Sequence, residues 1–192
     1  LDDKDATHLA VPGKLEGTNF TDSLLIGHAT TGTLSSAEDN TGVGIGALDA
    51  LTSGDGNTSV GSEAGGAIQS GIRNTTIGAI AGDAITTSQQ NTAVGYSSLT
   101  TNISGDKNTA IGAFSLNAAT GGFNIGVGKG AGANISSGDG NVIIGSDVDA
   151  ASATGDRQLK IAGHDGTNTT TWISGDSSGN LTFGGTITVG SA

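Results

Sequence analysis

The chain contains no cysteine and no methionine, a single proline, and aromatic residues at only 3% of its 192 positions. The absence of cysteine excludes a disulfide framework and a thiolate metal site. With so few aromatics, the apolar side chains are mainly Ala, Val, Ile and Leu, which fill a thin interior but not a thick one. Apolar runs stay shorter than the ~18 residues that a membrane-spanning helix needs. The sequence therefore predicts no membrane insertion of this segment.

Positive charge is also scarce, because seven Lys and Arg stand against eighteen Asp and Glu, for a formal net charge of -11. Phosphate binding needs clustered Lys and Arg, so a nucleic acid is not an expected partner. His8, His28 and His164 fit no metal-ligand spacing. The few glutamates do not suggest a carboxylate pair, and the nonapeptide calcium repeat is absent. We expect no catalytic, cofactor-binding or metal-binding residues, and no enzyme activity.

Glycine, in contrast, is abundant, and it is periodic. The chain has 35 glycines, and a motif Asn-Thr-x-(Val/Ile)-Gly recurs with starts at residues 23, 40, 57, 74, 91, 108, 124 and 141. Successive starts are 17 residues apart, except for one interval of 16 near Thr120–Phe123. Helical repeats need roughly 33 to 47 residues per unit. The period predicts an all-β parallel β-roll, or β-solenoid, with one coil per unit and coils ~4.8 Å apart.

Three positions of the unit form columns when coils are stacked. The fourth position is β-branched and is expected to be the interior stripe: Ile26, Val43, Val60, Ile77, Val94, Ile111, Val127 and Ile144. The fifth is glycine, either a conformational corner or a close chain–chain contact: Gly27, Gly44, Gly61, Gly78, Gly95, Gly112, Gly128 and Gly145. The first is asparagine, expected to form a hydrogen-bonded ladder and to tolerate a left-handed corner: Asn40, Asn57, Asn74, Asn91, Asn108, Asn124 and Asn141.

A second, patchier apolar stripe occupies the ninth and twelfth positions, with Leu48 and Leu51 as one example. Each coil offers about three aliphatic side chains to bury against the conformational entropy of ordering all of its residues. A lone stack of such coils is therefore expected to be marginal, which favours association of several chains.

The repeat divides the chain into three parts. Residues 1–22 are expected to be an N-terminal connector, and residues 23–157 the β-roll of eight units. Residues 158–192 are expected to form a small non-repeat β cap, with strands at 158–162, 171–173 and 181–183. A solenoid needs such a cap to cover its last coil.

The segment Asn91–Tyr96, Asn-Thr-Ala-Val-Gly-Tyr, resembles the YadA-like head repeats of trimeric autotransporter adhesins. Its 17-residue spacing is similar to the version common in bacteriophage tail-fibre and virion fibre proteins. Residues 172–180 are similar to a linker near the ends of such fibres. The resemblance implies a parallel homotrimer of left-handed β-rolls, forming the shaft of a phage tail or virion fibre that contributes to host attachment. The implied location is the virion. The implied partners are two further copies, other virion or fibre proteins, and a host surface glycan or protein.

Three other functions remain open. The chain could be the head of a bacterial trimeric autotransporter adhesin at the cell surface. It could be an ice-binding solenoid, because the second position carries a column of threonines, Thr41, Thr58, Thr75, Thr92 and Thr109. A polysaccharide depolymerase is disfavoured by the carboxylate pattern. Tyr96, Phe114 and Trp172 could stack on sugars, but each is expected to be a packing residue.

Overall fold

The computed structural model describes residues 13–17, 20–26 and 34–187, and these residues are all-β, with no helix. Nothing in these ranges forms a helix that could cross a membrane. The strands are β1 (Gly13–Gly17), β2 (Phe20–Ile26), β3 (Ala37–Glu38), β4 (Thr41–Val43), β5 (Thr58–Val60), β6 (Thr75–Ile77), β7 (Thr92–Val94), β8 (Thr109–Ile111), β9 (Ile125–Val127), β10 (Val142–Ile144), β11 (Leu159–His164), β12 (Thr169–Gly175) and β13 (Leu181–Phe183). All of them belong to one sheet in chain order, except that β3 pairs beside β2.

One strand from each repeat unit stacks on the next in parallel and in register. Thr41 pairs with Thr58 and Val43 with Val60, and the same pattern continues through β10. The 16-residue unit that begins at Asn108 keeps this register, because Thr109 pairs with Ile125. Its missing residue is therefore absorbed in the turn between the strands. The predicted β-solenoid of 17-residue coils is confirmed. Below, a coil is one repeat unit, numbered from its first position.

The third position of each unit points into the solenoid. Leu25, Ala93, Ala110 and Ile143 are fully buried. Successive residues of a strand point to opposite sides, so the second and fourth positions point outward.

The prediction that the fourth position forms the interior stripe is therefore wrong. Val43 and Val60 are 37% exposed and Ile111 is 42% exposed. The physical reason is the alternation along each three-residue strand, in which the third position points inward and the fourth therefore points outward. The β-branched side chains lie on the outside of the sheet.

The second apolar stripe does lie in the interior, and its two positions compensate each other in volume. Leu116 stands opposite the small Ala119, whereas Gly82 stands opposite the larger Ile85, and all of these apolar side chains are fully buried. A Cβ added to Gly82 would lie 2.8 Å from Cδ1 of Ile85. In these two coils a larger side chain at one position is matched by a smaller one at the other, whereas the coil with Gly42 at its third position buries both Leu48 and Leu51. Close packing thus fixes the combined volume of the inward side chains of a coil.

The fifth-position glycines form the corner that follows each strand. Their φ angles lie between +125° and +136° in Gly44, Gly61, Gly78, Gly95, Gly112, Gly128 and Gly145. A Cβ on Gly78 would lie 2.7 Å from the carbonyl carbon and oxygen of Gly95 in the next coil. The close approach is therefore between coils of one chain, which favours the corner interpretation over a chain–chain contact. Gly27 lies outside the described residues.

The sheet continues beyond the coils at both ends as antiparallel pairs. β1 pairs with β2, so part of the expected connector, residues 13–17 and 20–22, belongs to the sheet. Residues 1–12 of that connector lie outside the described residues. At the other end, β11 pairs in parallel with β10, and β11, β12 and β13 form a meander. These three strands match the expected positions, but that they cap the last coil stays a prediction.

Candidate functional site: the outer face of the sheet

The outer face consists of the second- and fourth-position side chains of β2 and β4 to β10. Each strand repeats one pattern, in which the central residue is buried and the residues on either side are partly or largely exposed. The fourth-position column is Ile26, Val43, Val60, Ile77, Val94, Ile111, Val127 and Ile144. The second-position column is Leu24, Thr41, Thr58, Thr75, Thr92, Thr109, Ile125 and Val142.

The fourth-position column is an unbroken apolar stripe that is partly exposed along its whole length. Its members Ile77, Ile111 and Ile144 are 39%, 42% and 38% exposed. Isolated exposed aliphatic residues are ordinary on protein surfaces, but a contiguous stripe marks a surface that contacts another molecule. The stripe runs along the described coils from Ile26 to Ile144.

The apolar column does not stop at the last coil. Ile144 pairs with Ile161, Ile161 pairs with Ile173, and Ile173 pairs with Phe183. Residues that are directly opposite each other on neighbouring strands present their side chains to the same face. The column therefore extends across the three strands of the meander.

The second-position column changes character along the chain. It is threonine in β4 to β8, and then becomes Ile125, Val142 and Leu159 in β9 to β11. Across the meander, Leu159 pairs with Gly175, which pairs with Leu181. The outer face is thus half polar over its first coils and aliphatic in both columns toward the C-terminal end.

Neither column contains a charged residue, although the chain has a formal net charge of -11. Three cations lie on the neighbouring edge of the coils, at the seventeenth position, namely Arg73, Lys107 and Arg157. The Nζ of Lys107 lies 5.0 Å from the ring centre of Phe123 on this edge. A fourth cation, Lys129 at a sixth position, pairs with Asp147. Acidic chains repel one another, so an uncharged stripe is the surface where two copies can approach at least electrostatic cost.

The interior offers a ladder of amide side chains. Asn57, Asn74 and Asn91 are fully buried. The Oδ1 of Asn57 accepts the backbone N–H of Asn74 at 3.0 Å, and Asn74 does the same for Asn91 at 3.0 Å. These side chains hold neighbouring coils together and are closed to a ligand from solvent. Gln158, which is not in the predicted asparagine column, continues the ladder, because its backbone N–H donates to Oδ1 of Asn141 at 2.9 Å. Its 17-residue distance from Asn141 and its amide were the available signals.

One carboxylate in the described part of the chain is unusual. The Oδ1 of Asp83 is buried without a hydrogen-bond partner. Burial raises the pKa of Asp83, and the nearby Glu63 carboxylate raises this pKa further. Within the described ranges, no group of three or more His, Asp or Glu side chains is placed to hold a metal ion. That the chain lacks catalytic and cofactor-binding residues stays a prediction.

The exposed aromatic residues of the described ranges lie at three places, one of which is the edge with Phe123, 58% exposed. Tyr96 and Phe114 on adjacent coils contact each other edge to face, with ring centres 5.3 Å apart, and Tyr96 is 52% exposed. Trp172 is 56% exposed and lies on the meander. Tyr96 and Phe114 therefore pack on each other, as expected, while keeping part of each ring in solvent.

Comparison of the chain with protein-family models, with curated proteins and with solved structures finds no match.

Proposed function

We propose that this chain is the shaft of a phage tail fibre or other virion fibre, in which copies of the chain pack through the outer face. The fibre would contribute to attachment at a host surface. The observation that carries the proposal is the uncharged, exposed apolar column from Ile26 to Phe183. A fibre of parallel chains would remove this stripe from water, which is favourable in proportion to the apolar area buried.

The repeat explains why the partner is a copy of the same chain. The apolar column carries one residue per strand, and neighbouring strands in a sheet lie ~4.8 Å apart. A partner that fills this surface needs an apolar column with the same spacing over the same length. Another copy of the chain has such a column, and three copies around an axis would bury all three columns at once.

The native mass tests the association. One chain is 18.5 kDa, and light scattering is expected to give three times that mass at micromolar concentration. A mass of 18.5 kDa at every concentration would contradict the proposal. The location is a separate test: an antibody against the chain is expected to label fibres on purified virus particles. Labelling of a bacterial surface instead would favour the head of a trimeric adhesin, which would use the same packing.

A second candidate function, ice binding, is favoured by one observation. Thr41, Thr58, Thr75, Thr92 and Thr109 stand in register on the outer face, and all are partly exposed. This column needs the outer face to be open, whereas fibre assembly covers it, so the two functions exclude each other. Thermal hysteresis from an 18.5 kDa monomer would favour ice binding, and its absence would remove this candidate.

A further inference from the structure

The meander of β11 to β13 is a single layer of sheet with an uncovered apolar face. Trp172 is 56% exposed, Leu181 57% and Phe183 46%. On the opposite face, Lys160 pairs with Ser174, which pairs with Thr182, so that face is polar. A small antiparallel sheet needs its apolar face packed on another layer to be stable. Within the described residues, no such layer covers this face.

A β-bulge adds the only tryptophan of the chain to this face. Ile161 pairs with Ile173 and Ala162 with Thr171, so Trp172 is the extra residue. A bulge of this kind places two consecutive side chains on one side of the sheet. The indole of Trp172 lies against Gly163, where an added Cβ would approach Cζ2 to 2.7 Å. Trp172, Phe183 and Ile187 line one surface groove.

We infer that the meander is the clamp that joins copies of this chain, with Ile161, Trp172, Ile173 and Phe183 of one copy packed against the same residues of its neighbours. This inference rests on the proposed function, because it locates the strongest part of the contact between copies. The shaft coils extend the contact, and the meander holds it together.

Two features of the outer face place the clamp at this end. In β4 to β8 the face offers one aliphatic side chain and one threonine per strand, whereas β9 to β11 offer two aliphatic side chains each. Hydrophobic stabilisation is roughly proportional to the apolar area removed from water. The shaft coils also have an interior that supports them, whereas no residue in the described ranges covers the apolar face of the meander.

Matched double variants of the full chain test the clamp. Ile161→Thr with Ile173→Thr changes two isoleucines of the meander, and Ile77→Thr with Ile111→Thr changes two of the shaft column. Threonine is β-branched and keeps the strand preference. The concentration for half-dissociation, measured by sedimentation velocity, is expected to rise about tenfold more for the meander pair than for the shaft pair. Equal effects, or a larger effect of the shaft pair, would overturn the inference.

Trp172 gives a second readout that does not depend on substitution. Since it is the only tryptophan, its fluorescence reports the meander alone. On assembly its emission is expected to shift to shorter wavelength and its quenching by acrylamide to fall. If Trp172 is quenched as freely in the assembled protein as in the monomer, the meander does not join the copies. That result would overturn the inference about the meander but would not contradict the proposed fibre. A wild-type chain that never assembles would instead remove the proposed function itself.

Discussion

The side-chain oxygen of Asn40 accepts two hydrogen bonds from Asn57, one from the backbone N–H at 3.0 Å and one from the side-chain amide at 3.1 Å. The same amide also donates to the carbonyl of Gly71 at 2.8 Å. Each buried asparagine thus provides hydrogen-bond partners for polar groups of the next coil. Buried polar groups without such partners destabilise the folded state. This ladder begins on Ser23, whose hydroxyl accepts the N–H of Asn40, and continues to Gln158. A coil is therefore stable only when its neighbours are in place.

Asn74→Ala is expected to break this ladder in the middle. The substitution orphans the backbone N–H of Asn91 and the carbonyl of Ser88, both of which bond the Asn74 side chain. Each buried group left unsatisfied costs about 1–3 kcal/mol. Urea unfolding followed by circular dichroism is expected to show that loss of stability.

Asn117→Ala is the matched control, because the Asn117 side chain is partly exposed. Its expected effect is within about 0.5 kcal/mol of zero, as for most surface substitutions. Equal losses in Asn74→Ala and Asn117→Ala would mean that the ladder contributes no more than a surface amide.

The fifth-position corner gives a graded series of glycine substitutions. In Gly78→Ala the alanine has an unfavourable φ of +125°, and its Cβ would lie 2.7 Å from the backbone carbonyl of Gly95. Gly166→Ala meets only an unfavourable φ of +95°, and Gly185→Ala meets neither, since nothing lies within 4 Å of its added Cβ. An alanine in the left-handed region alone costs about 1–2 kcal/mol. The expected order of destabilisation, measured by urea midpoint, is Gly78→Ala, then Gly166→Ala, then Gly185→Ala. A Gly78→Ala protein as stable as the Gly166→Ala variant would show that the coils separate easily at this corner.

Strand positions were predictable from the repeat, whereas the inward side of each strand was not. The motif at residues 57–61 contains the strand Thr58–Val60 that the structure shows. A strand of three residues has one inward-pointing residue. This residue is as small as Gly42 in one coil and as large as Ile143 in another. Such variation hides the alternation that normally identifies the buried face. From the sequence, the regular column at the fourth position therefore resembles an interior stripe, although its regularity belongs to the outer face.

The left-handed corners were only half predictable. The glycine corner was one of two interpretations offered, but the residue with positive φ before each ladder asparagine was missed. At this position Arg73, Gln90 and Lys107 have φ of 56° to 59°. None of these residue types favours that region. The backbone N–H of Arg73 bonds the carbonyl of Asp55 in the preceding coil at 2.8 Å, and Lys107 bonds Gln89 in the same way at 3.0 Å. Contacts between coils override the local preference, and a single unit of sequence does not contain them.

The compensation between the ninth and twelfth positions predicts a rescue. Gly82→Leu alone is expected to destabilise the coil, because its Cβ would lie 2.7 Å from Cγ2 of Thr76 and 2.8 Å from Cδ1 of Ile85. Overpacking a core typically costs about 1–3 kcal/mol. Adding Ile85→Ala copies the pairing of Leu116 with Ala119 in a later coil.

The double variant is expected to be more stable than the sum of the two single variants predicts. A double-mutant cycle on urea unfolding free energies measures this coupling, which is about 0.5–3 kcal/mol for residues in contact. Additive losses would contradict the idea that the coil fixes the combined volume of the two positions. The same cycle with Ala119→Gly in place of Ile85→Ala is the control, because Ala119 lies in a different coil.

Asp83 predicts a pH dependence with a definite sign. Its folded-state pKa is raised above 3.8, first by burial and further by Glu63. The stability that protonation of Asp83 contributes is therefore fully present below pH 3.8 and is lost as the pH rises through the raised folded pKa. At neutral pH the folded chain carries a partly buried charge that it does not favour. Asp83→Asn is expected to raise the urea midpoint at pH 7, and this advantage is expected to shrink as the pH falls toward 3.

The urea midpoints of wild type and Asp83→Asn must be compared with each other at every pH. Other carboxylates change the stability with pH in the opposite direction to Asp83. Hydrogen bonds from Lys129 lower the pKa of Asp147, and those from Asn180 lower the pKa of Asp176. Their stabilisation is lost on acidification in wild type and variant alike, so it cancels. Asp149→Asn, at an exposed carboxylate, is the control for the loss of one negative charge. If Asp83→Asn were less stable than wild type at pH 7, the backbone hydrogen bonds at residues 83 and 84, which lower the pKa of Asp83, would outweigh the cost of burying its charge. The outcome at pH 7 thus decides whether burial or hydrogen bonding dominates at the Asp83 carboxylate.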